Sequence, residues 1–487
     1  MEQLTKKETE SVDLSAARYT RERMDYWDQD AIREDRSVNW GRYYHQRLLE
    51  IYRALVPAGS RVVELGCGQG DLLAGLEPAV GIGIDFSSNK IARARQKYHQ
   101  LVFLQADAHE IHLEETFDYI ILSDLLSDLW DIQRAFEQVR RLCQPTTRVI
   151  VNTYSRLWEM PLLLGQKLGV ARPVLQRNWL TVEDIASLEN LAGLEVIRSW
   201  HEILFPFRVP LLADLFNRYL VKLWPFQSLA LTNLIVSRPY PVPSAEVEQP
   251  LISVIVPARN EAGNIPHIFD RAPQMGRGTE LVFVEGHSKD NTFAVIQEEM
   301  AKHPGILSQA VQQSGIGKGD AVRLGFARAR GEVLMILDAD LTVPPEDLPR
   351  FYNALVGGKG DLINGVRLVY PMEKQAMRFF NFLGNKFFTL AFSYLIGQPV
   401  KDTLCGTKVL WKKDYERIAA NRAYFGDFDP FGDFDLIFGA ARLNLKILDL
   451  PIRYRERKYG TTQIQRWKHG WLLIRMVGFA ARRIKFI

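Results

Sequence analysis

Cysteine is scarce in this chain: Cys67, Cys143 and Cys405 are the only three among 487 residues. They lie far apart with no metal-ligand spacing, which argues against a disulfide framework or a zinc site and fits a reducing cytoplasm. Long apolar runs are missing as well. No stretch reaches ~18 uninterrupted apolar residues, and the opening MEQLTKKETESVDLSAARYT holds no apolar core of the signal-peptide kind, so no spanning segment is expected. No repeat of roughly 20 to 50 residues is visible. Acid is nearly absent from the end of the chain, where Pro451 to Ile487 carries ten Lys/Arg against Glu456 alone. The net charge of +4 therefore splits into +9 for the tail and about −5 for everything before it.

What is present is an ordinary globular balance, 47% apolar and 24% charged, so disorder is not the main feature. The length exceeds what one hydrophobic core usually fills, and two domains are expected. The stretch SRPYPVPSAEVEQP, with four prolines, sits between the apolar runs LALTNLIV and LISVIVPA. Proline at that density gives a stiff extended connector. The expected organisation is a first domain over 1–236, a linker over 237–250, a second domain over 251–460 and a basic amphipathic tail over 461–487. On both sides of the linker strand-like runs alternate with helical patterns, which predicts an α/β chain with mainly parallel sheets.

In the first half, RVVELGCGQGDLL is a buried-strand pattern followed by glycines at 66, 68 and 70. Glycine is needed where backbone passes close to a ligand or takes positive φ. The spacing is GxGxG with Glu64 two residues before Gly66, and Asp71 stands where a dinucleotide enzyme would have its last glycine. VGIGIDFS then ends a second strand at Asp85, where an acid reaches ribose hydroxyls. VFLQADAHEI places Asp107 after a third strand, and FDYIILSDLL places Asp124 after a fourth.

Residues 61 to 153 resemble a class I S-adenosylmethionine-dependent methyltransferase, which has a Rossmann-like fold. The resemblance implies S-adenosylmethionine as cofactor, with Glu64, Gly66, Gly68 and Gly70 at its amino-acid end, Asp85 on the ribose, and Asp107 and Ala108 flanking the adenine. The methyl acceptor is not implied. LSDLLSDLW stands where enzymes that methylate nucleic-acid bases carry an Asn-Pro-Pro-Tyr type motif. His109 and His112 are candidate bases, but histidines near strand ends are more often packed or solvated, and no base is assigned. A domain that binds the cofactor without catalysis is an alternative.

In the second half, LISVIVPARNEAGNI is a buried strand with Pro257 and a polar turn holding Asn260 and Glu261. ELVFVEGHSKDNT ends a second strand at Glu285, and GKGDAVRLGFARARG reads as an amphipathic helix that stops at Gly331. EVLMILDADLT then places Asp338 and Asp340 at a strand end, where both carboxylates can turn toward one ligand. Hard oxygens of this kind suit Mg²⁺ or Mn²⁺, with a diphosphate completing the shell. Such a metal would neutralise charge on a departing nucleoside diphosphate.

Taken in order, these motifs resemble a family 2 glycosyltransferase of the GT-A fold, most like the dolichyl-phosphate mannosyltransferases, from about Leu251 to Thr462. The resemblance implies a nucleoside-diphosphate sugar held by Pro257, Asn260, Glu261, Glu285, Lys318 and Asp338, with metal on Asp338 and Asp340. It implies Asp402 near the acceptor, Asp435 (or Asp433) as base for a hydroxyl acceptor, and Arg457 as a phosphate clamp; Asp340, Asp435 and Arg457 form the catalytic set. Two departures stand out: Glu285-Gly286-His287-Ser288 replaces the usual Asp-Asp-Gly-Ser, and Thr461, Thr462 and Gln463 replace a late Ser-Lys.

MRFFNFLGNKFFTLAFSYLIG and WKHGWLLIRMVGFAARRIKFI mix aromatic, aliphatic and basic residues, a pattern suited to an interfacial helix over anionic lipid. Trp467 and Trp471 suit headgroup depth, and nucleic acid is not expected as a partner. The expectation is a bifunctional cytoplasmic enzyme, peripheral on the inner face of the membrane. Its glycosyl acceptor would be a polyprenyl phosphate or a cell-envelope glycan or lipid. Two rival readings are a nucleotidyltransferase in the second half, which would want a glycine-rich loop that PARNEAGNI lacks, and a ligand-sensing membrane adaptor.

Overall fold

The computed structural model describes residues 2–34, 42–168, 175–241, 249–367, 379–421, 432–455, 459 and 466–486. The chain forms two compact units, one built on Met1–Tyr240 and the other on Pro241–Lys485. Among the described residues each is an α/β unit around a mixed sheet of seven strands.

The first sheet contains β1 (Arg61–Leu65), β2 (Val80–Asp85), β3 (Val102–Gln105), β4 (Phe117–Ser123), β5 (Cys143–Tyr154), β6 (Leu194–Glu202) and β7 (Thr232–Pro239). Their order is β3-β2-β1-β4-β5-β7-β6, all parallel except β7, which runs antiparallel to both neighbours. The central strands are buried on both faces, which is why they read as continuous apolar runs. Alternation still sorts them: Val63, Leu65, Ile120 and Leu122 enter one core layer, Val62, Tyr119, Ile121 and Ile150 the other. Local chemistry sets the helix starts. Ser87 caps the helix Ser88–Lys97, Asp131 caps Ile132–Arg141, and Thr181 with Asp184 forms a capping box for Val182–Leu191. β7 carries Ser237, Arg238 and Pro239 within the sheet, so the proline-rich stretch begins as strand before it becomes connector.

The second sheet contains β8 (Leu251–Ala258), β9 (Gly278–Glu285), β10 (Leu307–Gln312), β11 (Val333–Ile336), β12 (Leu362–Val366), β13 (Lys408–Trp411) and β14 (Ile447–Pro451). Their order is β10-β9-β8-β11-β13-β12-β14, with β13 the antiparallel member. The helix predicted to stop at Gly331 spans Lys318–Arg328 and ends three residues earlier. Gly331 instead permits a close backbone approach. A Cβ there would lie 2.6 Å from the Leu251 carbonyl oxygen and 2.7 Å from the Ser253 nitrogen, so only glycine lets the chain enter β11 beside β8.

A buried acid makes the first unit sensitive to pH. Glu189, on Val182–Leu191, is 0% exposed and accepts a 2.5 Å hydrogen bond from the Ser237 hydroxyl on β7. Burial pushes its pKa up to about 7. Because the folded value lies above the unfolded one, its contribution is complete below about pH 4.5 and is lost as pH rises through about 7. Glu189→Gln should therefore stabilise the first unit by roughly 2–3 kcal/mol above neutrality and far less in acid. Urea titrations at the two extremes check this, and an equal effect at both would contradict it.

Candidate active sites

In the first unit the strand order reverses between β1 and β4, and a crevice opens at their carboxyl ends, where open α/β sheets bind ligands. The turn after β1 is fixed by backbone. The Gly66 and Cys67 amides both donate to the Ile84 carbonyl, at 2.7 and 3.0 Å, and Gly66, Gly68 and Gly70 have φ of 73°, 54° and 79°. A Cβ on Gly70 would meet the Phe103 ring at 2.6 Å.

Asp85, at the end of β2, ties this loop to the next helix: its Oδ2 accepts from the Gly68 amide at 2.9 Å and its Oδ1 from the Ser87 amide at 2.8 Å. Burial raises its pKa, opposed by those amides and by Lys90. Asp107 accepts from the His109 amide at 2.9 Å and shares a 2.5 Å bond with its Nδ1. Burial would raise this acid too, yet the His109 bonds and Arg134 hold it below its usual range.

Gly66, Asp85, Asp107 and Ala108 line the cleft with Ile84 and Leu125. The other three expected residues lie outside the lining. Gly68 and Gly70 shape the loop, while Glu64 is 2% exposed and accepts from the Leu73 amide at 3.1 Å, with burial holding its pKa well above the usual range. Glu64 braces the loop from below. His109 is also a brace, since its Nε2 accepts from the Asp131 amide at 3.1 Å.

Sequence reading missed the contribution of the N-terminal helix, Glu2–Glu34. Thr20 and Arg23 reach the cleft wall, Arg23 pairs with Asp128 at 3.6 Å, and Asp28 accepts from the Ser87 hydroxyl and the Asn89 amide. Nothing local marks these residues, because the contact joins segments about 60 to 100 positions apart, beyond any helical or strand period.

Asp124 stands out in the sequence only as an acid after a strand, with no role attached. It follows β4 with φ 54°, uncommon for a residue with a side chain. It accepts from the Tyr44 hydroxyl at 3.0 Å and the Asn152 side-chain Nδ2 at 2.7 Å, and the Tyr52 hydroxyl donates to Asn152 Oδ1 at 2.7 Å. Burial pushes the pKa of Asp124 up to about 7. A carboxylate poised there can take or release a proton near neutrality.

In the second unit β8, β9 and β11 also end at one edge. Asn260 (φ 57°) follows β8, its amide donating to Ser288 Oγ at 3.0 Å and its Oδ1 accepting from the Lys289 amide at 2.7 Å. Glu261 is fixed by the Asn264 side chain at 2.7 Å, and Glu285 closes the turn after β9 by accepting from the Ser288 amide at 2.5 Å. Pro257 lies within β8 beside this turn.

Beyond β11, Asp338 Oδ1 is 2.5 Å from Lys318 Nζ at the start of Lys318–Arg328. Burial would raise Asp338, but Lys318 holds it below its usual range; conversely Lys318, which burial would lower, is raised by Asp338, Asp433 and Asp340. Asp340 accepts from the Thr342 amide at 3.1 Å and its hydroxyl at 2.7 Å. A Cβ on Gly406 would collide with both Lys318 Nζ and Asp338, so the Asp402–Thr407 segment passes against this pair with no room for a side chain.

The expected base and acceptor residues are less open. Asp433 is buried on Lys408 Nζ at 3.0 Å, and Asp435 lies 3.5 Å from Arg323. Asp402 is 2% exposed and gripped by both guanidinium arms of Arg367, at 2.7 and 2.9 Å. It secures the segment that carries Gly406 and does not face outward. Arg457 lies outside the described residues. Sequence reading missed Arg367 and Lys408; a lysine inside the apolar strand TKVLW was the available signal. Among the described residues no group of three His, Cys, Asp or Glu is arranged to hold a metal.

The membrane-type helices are only partly exposed. On Phe379–Ile396, Phe388 and Phe392 enter the core while Phe387 and Leu390 stay outside. On Arg466–Ala480, Leu473 and Met476 are buried while Trp471 and Ile474 are exposed; the Trp467 side chain lies outside the described residues. Among the described residues no helix is long and apolar enough to cross a membrane.

Residues 57–186 match the family described as a methyltransferase domain, and residues 253–418 the one described as glycosyl transferase family 2. A dolichol-phosphate mannosyltransferase of Pyrococcus furiosus is 27% identical over 245 residues, covering 48% of this chain and 67% of that protein. An undecaprenyl-phosphate 4-deoxy-4-formamido-L-arabinose transferase of Pseudomonas aeruginosa is 28% identical over 134 residues, 27% of this chain. The match spans 37% of that transferase's length. Among solved structures, an S-adenosylmethionine-dependent methyltransferase from Thermotoga maritima is 16% identical, covers 44% of this chain and 97% of its own, and superposes with a TM-score of 0.35.

The Arg367–Asp402 pair supplies a test of the structural role given to Asp402. Arg367→Met, which strands a buried carboxylate, should destabilise the second unit by roughly 3–5 kcal/mol, with Asp402→Asn milder. Urea unfolding checks this, and two negligible effects would return Asp402 to an exposed, substrate-facing role.

Proposed function

We propose, for a chain that joins a methyltransferase domain to a family 2 glycosyltransferase domain in one polypeptide, that its second unit transfers a sugar from a nucleoside-diphosphate donor to a polyprenyl phosphate or a related cell-envelope glycan or lipid. The first unit then methylates an acceptor, using S-adenosylmethionine. The observation that carries the sugar-transfer reading is the Lys318–Asp338–Asp340 cluster at the strand ends, with Asn260 and Glu285 on the same edge. The names of the Pyrococcus and Pseudomonas relatives, both polyprenyl- or dolichol-phosphate sugar transferases, support a lipid phosphate as acceptor.

The two carboxylates are hard donors and suit Mg²⁺ or Mn²⁺, which would neutralise charge on the leaving diphosphate. Asp338, now paired with Lys318 at 2.5 Å, and Asp340 are the residues that would hold it. Lys318 places a fixed positive charge at the same spot, ready to attract the donor's phosphates. An acceptor oxygen then attacks the anomeric carbon in line with the departing diphosphate. A phosphate acceptor is already anionic and needs little base help; a hydroxyl acceptor draws on Asp435, less masked than Asp433. Arg457 is the proposed phosphate clamp. Exposed Phe387, Leu390, Trp471 and Ile474 supply peripheral contact with the bilayer that holds the acceptor.

In the first unit, Asp85 holds the ribose hydroxyls, the Gly66–Gly70 turn receives the amino-acid end, and Ala108 with Asp107 borders the base. The crevice, with apolar Ile84 and Leu125 and the carboxylates of Asp85, Asp107 and Asp128 in its lining, suits an adenosyl group. Bound there, S-adenosylmethionine supplies an electrophilic methyl group.

Two experiments test these readings. Purified protein given labelled nucleotide sugars, native lipid extract and Mg²⁺ or Mn²⁺ should move label into the organic phase, and Asp340→Asn should reduce this at least roughly tenfold. Full transfer by the variant would remove Asp340 from the site. By calorimetry, Asp85→Ala should weaken S-adenosylmethionine binding by roughly ten- to a hundredfold. Unchanged affinity in a folded variant would place the ribose elsewhere.

A further inference from the structure

More than half of the large apolar side chains that stand exposed among the described residues fall in two stretches of the first unit, 157–168 and 207–229. Leu211 is 85% exposed, Trp224 81% and Met160 73%, with Leu164, Leu212 and Tyr219 beside them in sequence. A soluble surface scatters such residues singly; clustering marks an interaction face. The two stretches join, because the Trp158 indole donates to the Leu229 carbonyl at 3.0 Å and the Ser155 amide to the Leu231 carbonyl at 2.8 Å.

Topology fixes where this face lies. The first stretch follows the carboxyl end of β5, and the second links the carboxyl end of β6 to the start of the antiparallel β7. Both therefore sit on the edge of the sheet at which the Gly66–Asp85 crevice opens and Asp124 is held.

The charges on this face have one predominant sign. Its exposed charged residues are Arg156, Lys167, Arg208 and Arg218 against Asp214, while Lys222 is buried on Glu202. A second copy is a poor occupant, since a two-fold contact sets the same basic residues against themselves. Apolar side chains rimmed by arginine and lysine, with Trp and Tyr among them, have the composition of a surface that sits at a lipid headgroup layer.

We propose that this edge of the first unit docks on an anionic bilayer, so that its methyl acceptor is an amphipathic molecule drawn from the lipid–water interface. The acceptor clause rests on the methyltransferase reading above; the docking surface does not.

The test uses the full chain in a Cys143→Ser background, Cys67 and Cys405 being buried. An environment-sensitive fluorophore is attached at Leu211→Cys, or at Val102→Cys. Val102 is 53% exposed at the start of β3, on the opposite edge of the sheet. Adding phosphatidylglycerol vesicles should shift the Leu211 label to the blue and leave the Val102 label unchanged. Phosphatidylcholine vesicles should give a smaller shift, and added salt should reduce the response. Vesicles that pellet the protein while the Leu211 label stays aqueous would assign binding to the second unit's helices and overturn the proposal. Absence of vesicle binding would overturn it as well. So would a blue shift that depends on protein concentration without lipid, which identifies a second copy as the occupant. Calorimetry with S-adenosylmethionine on the same labelled protein judges the cofactor reading separately.

Discussion

Parallel pairing is the constraint on which both halves of this molecule depend. Strands that run the same way all finish at one edge, so loops far apart in sequence are delivered to a single line of space. In the first unit this brings Gly66, Asp85, Asp107 and Asp124 together, and in the second Asn260, Glu285 and Asp338. The central strands are buried on both faces and carry almost no chemistry; the turns that follow them carry nearly all of it. Positive φ at Gly66, Asp124 and Asn260 marks the turns where backbone shape is already set by these sites.

Charge at the second site is managed by pairing. Asp338 faces Lys318, Asp433 faces Lys408 and Asp402 faces Arg367, the last two pairs each with a partner almost fully buried. Removing one member of such a buried pair leaves the other uncompensated, so the cluster is more rigid than its polarity suggests. The same pairing explains how several acids tolerate one another within a small volume. Gly406 completes the arrangement by letting the Asp402 segment lie directly against the Lys318–Asp338 pair.

Much of this was legible in the sequence because it is local. The strand runs, the glycine turn, the acids at strand ends and the DAD step all lie within windows of about ten residues, and α/β architecture follows from their alternation. Boundaries were less legible: the helix after Gly317 ends at Arg328, because Gly331 serves a backbone contact. What the sequence hid is what only packing creates. Arg23 at the first cleft, Arg367 on Asp402 and the burial of Asp435 against Arg323 all join distant segments. Asp402 and Glu64 show a further effect of packing, in which an acid at a strand-end segment is buried and hydrogen-bonded to neighbouring chain.

The reversal of β7 has a consequence for how such a chain can be assembled. Because β7 runs against its neighbours, the first unit hands the chain on at the amino edge of its sheet, and β8 receives it at the amino edge of the next. The covalent link thus attaches to each unit on the side opposite its own site. The connection contributes none of the candidate site residues at either carboxyl edge, and a change in its length leaves those strand-end turns as they are.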